Sequence, residues 1–276
     1  MILDGKTASL TFKENLKEKY ASLDSKATLA IVHFNDPASL SYLKGRKKMA
    51  EELNVNIKEM ALNEDVKDED LLSLIASLNN DNEVDGIIVD RPLPKHLNEN
   101  LILNSILPNK DVDGYTNSSL GKLISKQPGH VPCTPNGAVQ LAKYYNIDFA
   151  GKNVLVIGRS VNVGKPLALI LLNENATVTI AHSKTKDLKE KCLNADIIFL
   201  AVGKANFLTK DMINESSTVI DIGINFVDGK LCGDASKDIY DVVASYSPVP
   251  GGCGVMTNVM LYENLYQAYL MNHGRN

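Results

Sequence analysis

The chain has 276 residues, 44% of them apolar and 22% charged, which is enough for two domains with separate cores. A net charge of −4 argues against a general nucleic-acid binder, which is ordinarily basic. The longest apolar runs, such as IIFLAV at 197–202, are far shorter than the ~20 residues of a membrane helix, and MILDGKTASL at the amino terminus has no apolar stretch of signal-peptide length.

The pattern alternates helix and strand from the start. Residues 9–22 read as an amphipathic helix, with Leu10, Leu16 and Tyr20 among its apolar positions. ATLAIVHF (27–34) is a buried strand, and Asp36 before Pro37 makes an N-cap with proline at the first helical position. That helix runs to about Asn54. NIKEMAL (56–62) is a strand, KDEDLLSLIASL (67–78) a helix with acids in its first turn, and VDGIIVD (84–90) a third strand. A looser stretch rich in Gly, Pro, Asn and Asp follows, from RPLP through KQPGHVPCTPNG, and the domain boundary is placed there. Residues 134–147 read as a connecting helix with Thr134 as N-cap.

A second series follows: strand 152–158, helix 163–175, strand 176–182, helix 187–194, strand 195–203, strand 217–225, and a terminal helix at 257–271 that returns to the first domain. The expected fold is α/β. It has two domains, each a largely parallel sheet with flanking helices, the second a Rossmann-like dinucleotide-binding domain. The boundaries are 1–118 plus 257–276 for the first and 134–256 for the second. Cys133, Cys192, Cys232 and Cys253 show neither metal-ligand nor disulfide spacing. They are expected to be buried free thiols in a reducing, cytoplasmic setting, and no metal is expected.

VLVIGRSVNVGKPLA joins a strand, a glycine turn and a helix start. Gly158 ends the strand and Gly164 lies near the helix N-terminus, where backbone amides and the helix dipole suit a pyrophosphate. The glycine spacing is not G-x-G-x-x-G, and a tight turn without ligand is the alternative reading. An NAD-specific fold places an acid about 20 residues past the first glycine. Here that place holds His182, Ser183, Lys184 and Thr185. Arg159, Ser183 and Lys184 could instead surround a 2′-phosphate, which favours NADP. The plainer reading of Lys184 is a solvated loop lysine.

These stretches also resemble a known family over nearly the whole chain: the FolD-type bifunctional methylenetetrahydrofolate dehydrogenase/methenyltetrahydrofolate cyclohydrolases. Nine motifs in order carry the resemblance: NDPASLSY (35–42), DGIIV-x-x-PLP (85–94), PNKDVDG (108–114), PCTPNG (132–137), GRSVNVGKP (158–166), ATVTIAHSKT (176–185), AVGK (201–204), DIGIN (221–225) and PVPGGCGVMT (248–257). The resemblance implies a folate-binding and an NADP-binding domain with a cleft between them, and a homodimer. It implies oxidation of 5,10-methylenetetrahydrofolate by hydride transfer, then hydrolysis of the methenyl product to 10-formyltetrahydrofolate. Carried over by position, Tyr42 and Asp113 are catalytic and substrate-binding, with Pro250, Gly251 and Gly252 also lining the substrate site. The cofactor would meet Gly158, Arg159, Ser160, Val163, Gly164, His182, Ser183, Lys184, Val202, Gly203, Ile224 and Thr257.

Three positions depart from the family pattern. The catalytic lysine's position holds Arg46, the supporting glutamine's holds Asp90, and a proline of the last motif is Val255. Tyr42 and Arg46 are four apart, on one helix face, and Asp90 at a strand end is within reach of a bidentate arginine. Hydride transfer needs positioning; hydrolysis needs proton transfer, which an arginine does not supply. A dehydrogenase with weak or absent cyclohydrolase activity is therefore expected. The alternatives are the full bifunctional enzyme, with water activated by substrate, by Asp90 or by Lys47 swung into the site; a non-catalytic folate- or nucleotide-binding regulator; or a Rossmann dehydrogenase for another small substrate. Asp111 reads as structural. Lys44, Lys47 and Lys48 read as a solvated face, or as attraction for the polyglutamate tail of folates.

Overall fold

The computed structural model describes residues 1–34 and 37–275, the side chains of 37–39 and 41 apart; the Asp36 cap lies outside the described residues. In chain order the elements are α1 (Gly5–Ala21), β1 (Thr28–Phe34), α2 (Pro37–Leu53), β2 (Asn56–Leu62), α3 (Asp68–Asn80), β3 (Gly86–Val89), α4 (Glu99–Asn104), α5 (Asn117–Ile124), α6 (Cys133–Tyr144), β4 (Asn153–Ile157) and α7 (Gly164–Asn173). They continue with β5 (Thr177–Ala181), α8 (Leu188–Leu193), β6 (Ile197–Leu200), β7 (Thr218–Asp221), β8 (Asn225–Val227), β9 (Lys230–Cys232), β10 (Ser245–Tyr246) and α9 (Cys253–Asn272). Two compact units result: Phe12–Val131 with Leu261 onward, and Met1–Thr11 with Pro132–Met260.

The first of these units is built on a parallel sheet of order β2-β1-β3. Leu29 pairs with Ile57 on one side and Gly86 on the other. β1 is apolar and buried on both faces because helices cover it, which is why it reads as a continuous apolar run. α3 carries Asp68, Glu69 and Asp70 in its first turn and buries Leu71, Ile75 and Leu78 at helical spacing. They join Val32, Ile87 and Ile102 in one core.

The stretch expected to be loose contains two short helices. α4 is capped by Asn98, whose side chain accepts from Leu101 N at 3.1 Å, and α5 by Thr116, which accepts from Ser119 N at 3.1 Å. The part of α9 from Leu261 onward packs on this unit, whereas residues 257–260, expected here as well, belong with the other unit: Tyr20 Oη donates to Tyr262 O at 2.7 Å, and Asn264 Nδ2 to Val112 O at 2.9 Å.

The other unit has a five-stranded parallel sheet of order β10-β7-β6-β4-β5. The chain reverses direction of assembly at β4, so the carboxyl ends of β4 and β6 flank the switch point where open α/β sheets bind ligands. The strand expected over 217–225 stops at Asp221, and an antiparallel β8–β9 hairpin follows. α6 starts at Cys133 with Pro132 in the cap position, so Thr134 lies inside the helix and is not its N-cap. Residues 1–11, expected in the first domain, belong with this unit because their backbone is tied there. Leu3 N donates to Tyr246 O at 2.8 Å and Gly5 N to Gly251 O at 2.8 Å. All four cysteines are free; Cys133, Cys192 and Cys253 are buried as expected, whereas Cys232 is partly exposed.

Gly86 opens β3 where no side chain fits: a Cβ there would sit 2.4 Å from Val112 Cγ1 and 2.8 Å from Leu265 Cδ1. Gly86→Ala is expected to lower unfolding stability by about 1–3 kcal/mol through overpacking, read from the urea midpoint. An unchanged midpoint would show that Val112 and Leu265 yield freely.

Candidate active site

Parallel sheets present ligand sites at their carboxyl ends. In the unit built on β2-β1-β3 that end carries Asp90, immediately after β3, with Asp90 N donating to Val32 O at 2.8 Å. α2 follows β1 and presents Arg46. The Arg46 guanidinium forms an ion pair and hydrogen bond to Asp90 Oδ1, with side chains only 12% and 4% exposed. Tyr262 Oη donates to Arg46 O at 2.8 Å, which fixes the backbone beneath the guanidinium. Arg46 Nε and Asp90 Oδ2 have no hydrogen-bond partner among the described residues. The site therefore holds a nearly dry pair with one open donor and one open acceptor.

Tyr42, one turn before Arg46, is half-exposed. Lys47 pairs instead with Glu59 of β2, which also takes a 3.1 Å contact from His33 Nε2. Lys47 is thus held away from Asp90, as a residue rotated by about 100° on the helix should be. Lys44 and Lys48 face solvent.

Asp111 is a buried organiser of its loop. Its carboxylate accepts from Gly114 N, Tyr115 N and Thr116 N and from Ser119 Oγ, the last at 2.6 Å. Asp113, two residues on, keeps 21% of its side chain exposed and pairs with Arg91. Burial pushes the Asp113 carboxyl above the usual carboxylate range, against the pull of the Arg91 guanidinium.

The dinucleotide-type unit supplies a glycine cradle. Gly158 follows β4 at φ +133°, and a Cβ there would lie 2.2 Å from Ala201 O. A Cβ on Gly164 would lie 2.2 Å from Gly158 O. The two glycines let the turns after β4 and β6 and the start of α7 close on one another. Ser160 Oγ accepts from Val163 N and Gly164 N at 3.1 and 3.3 Å, so its hydroxyl shapes the N-terminus of α7. At the end of β5, Thr185 Oγ1 accepts from His182 N and His182 Nδ1 from Lys184 N, which folds a turn that leaves Ser183 and Lys184 exposed. Arg159 is exposed as well.

One residue that organises this unit went unremarked in the sequence. Asp234 is fully buried, and its carboxylate accepts from Val202 N, Gly203 N and Lys204 N at 2.6, 3.0 and 2.8 Å and from Asn225 Nδ2 at 2.9 Å. It holds the AVGK turn against the segment after β7. Asp221 beside it accepts from Gly223 N, Asp234 N and Ala235 N; burial raises its pKa to about 6. Nothing in the spacing of CGDAS marks Asp234, because its partners are mainly backbone groups some thirty residues away in sequence.

Ile224, with Leu231, Val249 and Val255, lines a small concavity that also includes Pro250, Gly251 and Gly252. Gly252 is buried, and a Cβ on it would lie 2.5 Å from Pro248 O. Thr257 Oγ1 lies 3.4 Å from Thr134 Oγ1 at the start of α6. A broader polar concavity around Asn153, Thr179, Glu190 and Asn194 lies toward the amino end of β4, away from the glycine cradle, where the sheet presents no ligand end. The structure thus brings Arg46 to Asp90 and the 158–164 turn to the 201–203 turn. It places Asp113 against Arg91, which stands at a variable position of the DGIIV-x-x-PLP motif.

Known proteins match this arrangement along the chain. Residues 3–113 match the family model described as tetrahydrofolate dehydrogenase/cyclohydrolase, catalytic domain, and residues 132–273 the model for its NAD(P)-binding domain. A relative from Clostridium novyi (strain NT), named bifunctional protein FolD, is 48% identical over 269 residues, 95% of this chain and 97% of its own. The crystal structure of a bifunctional FolD methylenetetrahydrofolate dehydrogenase/cyclohydrolase from Campylobacter jejuni superposes with a TM-score of 0.95 at 41% identity, covering 100% of this chain and 99% of that one. The Trypanosoma brucei methylenetetrahydrofolate dehydrogenase-cyclohydrolase, complexed with NADP and an inhibitor, gives a TM-score of 0.92 at 29% identity over 98% of this chain and 97% of its own. With both halves matched and close relatives aligned nearly end to end, the chain belongs to the tetrahydrofolate dehydrogenase/cyclohydrolase family.

Proposed function

We propose that this chain oxidises 5,10-methylenetetrahydrofolate to the methenyl form with NADP, and that it hydrolyses the methenyl product weakly or not at all. Family membership supports the oxidation. The weak hydrolysis is argued from the buried Arg46–Asp90 pair, which on the resemblance occupies the positions of the family's lysine and glutamine.

The residues present suit a dinucleotide. Gly158 and Gly164 keep Cβ atoms out of a turn at a helix N-terminus, where backbone N–H groups attract phosphate. Arg159, Ser183 and Lys184 are exposed donors beside it, and no acid stands among them to favour a bare ribose. NADP, when bound, supplies the hydride acceptor. The protein's part is to hold the pteridine through Asp113, flank it with Tyr42 and exclude water. Positioning of this kind suffices for hydride transfer.

Hydrolysis asks for more. Water must lose a proton as it adds to the methenyl carbon, and the ring nitrogen must gain one. A guanidinium stays protonated and does neither. Losing general acid–base help costs about 10²–10⁴-fold. Asp90 still offsets the repulsion between Arg46 and the cationic product.

One observation favours a second reading, the full bifunctional enzyme. Asp90 Oδ2 is buried and unpartnered among the described residues, an open acceptor that an oriented water would satisfy. The relatives named bifunctional fit that reading equally well. Beyond the site, we propose a homodimer. The exposed Lys44 and Lys48 would steer the glutamate tail of folates. Among the described residues no helix is long and apolar enough to cross a membrane.

Two measurements separate these readings. The double variant Arg46→Lys/Asp90→Gln is expected to raise methenyl hydrolysis by about 10²-fold or more over the parent chain. Hydrolysis left at the parent rate would show that the pair does not set this activity. Lys184→Ala is expected to cut kcat/KM for NADP about tenfold, the loss of one charged contact to a phosphate, with little change for NAD. An equal loss with both nucleotides would contradict the 2′-phosphate assignment.

A further inference from the structure

Arg91, between Asp90 and the PLP turn, has no role in the chemistry above. Its side chain is 16% exposed, and three segments converge on it. Its Cζ lies over the Tyr115 ring, 3.9 Å from the centroid, a cation–π contact. Its Nη2 donates to Asp113 Oδ2 at 3.1 Å. Its Nη1 lies 3.9 Å from Glu99 Oε1 of α4 and makes no hydrogen bond among the described residues. Three neighbours restrain the guanidinium from different directions, so it forms a fixed wall beside Asp113.

Asp113 needs such a wall. Asp111, two residues earlier, carries a negative charge nearby, and its own acceptors are consumed by Gly114, Tyr115, Thr116 and Ser119. The charged groups acting on Asp113 are therefore Arg91 and Arg46, which favour its carboxylate, and Asp111, which opposes it along with burial. Arg91 is the one in direct hydrogen-bond contact, and it uses Oδ2.

We infer that Arg91 is a positioning residue for substrate: it holds Asp113 by one carboxylate oxygen so that the other accepts from the paired N–H donors of a pteridine edge. The inference rests on the reading that Asp113 holds the folate. Arg91 does not touch the reacting carbon, so its removal acts on substrate binding. Without the cation the Asp113 carboxyl protonates more readily. A protonated carboxyl is a poorer acceptor for N–H donors, so binding weakens as pH falls.

The test is the pH dependence of KM for methylenetetrahydrofolate in the parent chain, Arg91→Gln, Arg91→Lys and Asp113→Asn, with Arg91→Leu as a second neutral variant and thermal melting as a folding control. In Arg91→Gln and Arg91→Leu, KM is expected to rise about tenfold near neutral pH, the loss of one charge-assisted contact. The rise should grow toward acid pH, with kcat changed less. Arg91→Lys should restore most of the affinity and the parent's pH profile. A rise equal at every pH, or one shared fully by Arg91→Lys, would mean that Arg91 merely packs the loop. Asp113→Asn separates the two levels. If it raises KM while the neutral Arg91 variants do not, the Arg91 inference alone fails. If Asp113→Asn leaves KM unchanged, the assignment of Asp113 to the folate fails and the role of Arg91 falls with it.

Discussion

The functional end of the folate-type unit depends on one buried ion pair. Arg46 on α2 and Asp90 after β3 are nearly dry, and each charge is tolerable only because the other is there. A lysine and glutamine at these positions would leave a cation free to give up its proton. Arginine with aspartate closes that option and puts a permanently charged guanidinium there, held through Oδ1 alone and not by the two-oxygen fork that the sequence predicts. The neighbouring cations are sorted by the same constraint. Lys47 is drawn to Glu59, while Lys44 and Lys48 stay in solvent. Asp113 has its own partner in Arg91, so the two acids that face this end are each matched to an arginine.

The dinucleotide-type unit uses buried carboxylates differently. Asp234 and Asp221 are saturated with backbone N–H donors, and they tie together turns that come from β6, β7 and the β9 segment. Loops built this way have little freedom, which is what a phosphate cradle with no room for a Cβ requires. Gly158 and Gly164 then have a physical reason that motif spacing alone does not give: each meets a carbonyl oxygen at 2.2 Å if given a side chain.

Much of this was legible in the sequence. Continuous apolar runs marked β1, β3, β4 and β6, because strands covered on both faces have no polar positions to alternate. The order of motifs marked the family, and four-residue spacing put Tyr42 and Arg46 on one helix face. Other features were hidden. α4 and α5 are short and open on Asn98 and Thr116, so their caps read as loop composition. The β8–β9 hairpin did leave a signal, Asp228-Gly229, both at positive φ as a two-residue hairpin turn requires. It was masked because its strands are exposed, with Phe226 at 74%. The attachment of residues 1–11 to β10 rests on backbone hydrogen bonds between chain segments over two hundred residues apart, which no local pattern encodes. Arg91 and Asp234 were missed for the same reason: their partners are set by topology.

On this proposal, Arg46 held by Asp90 leaves oxidation intact and removes catalysed hydrolysis. This is tested most directly by one pair of rates on the purified chain: methylenetetrahydrofolate oxidation with NADP, and methenyltetrahydrofolate hydrolysis against the spontaneous rate in the same buffer. Turnover in the first with the spontaneous rate in the second is the predicted result. Clear acceleration of both would contradict the claim, and would place water activation on another group, with Asp90 Oδ2 the first to examine.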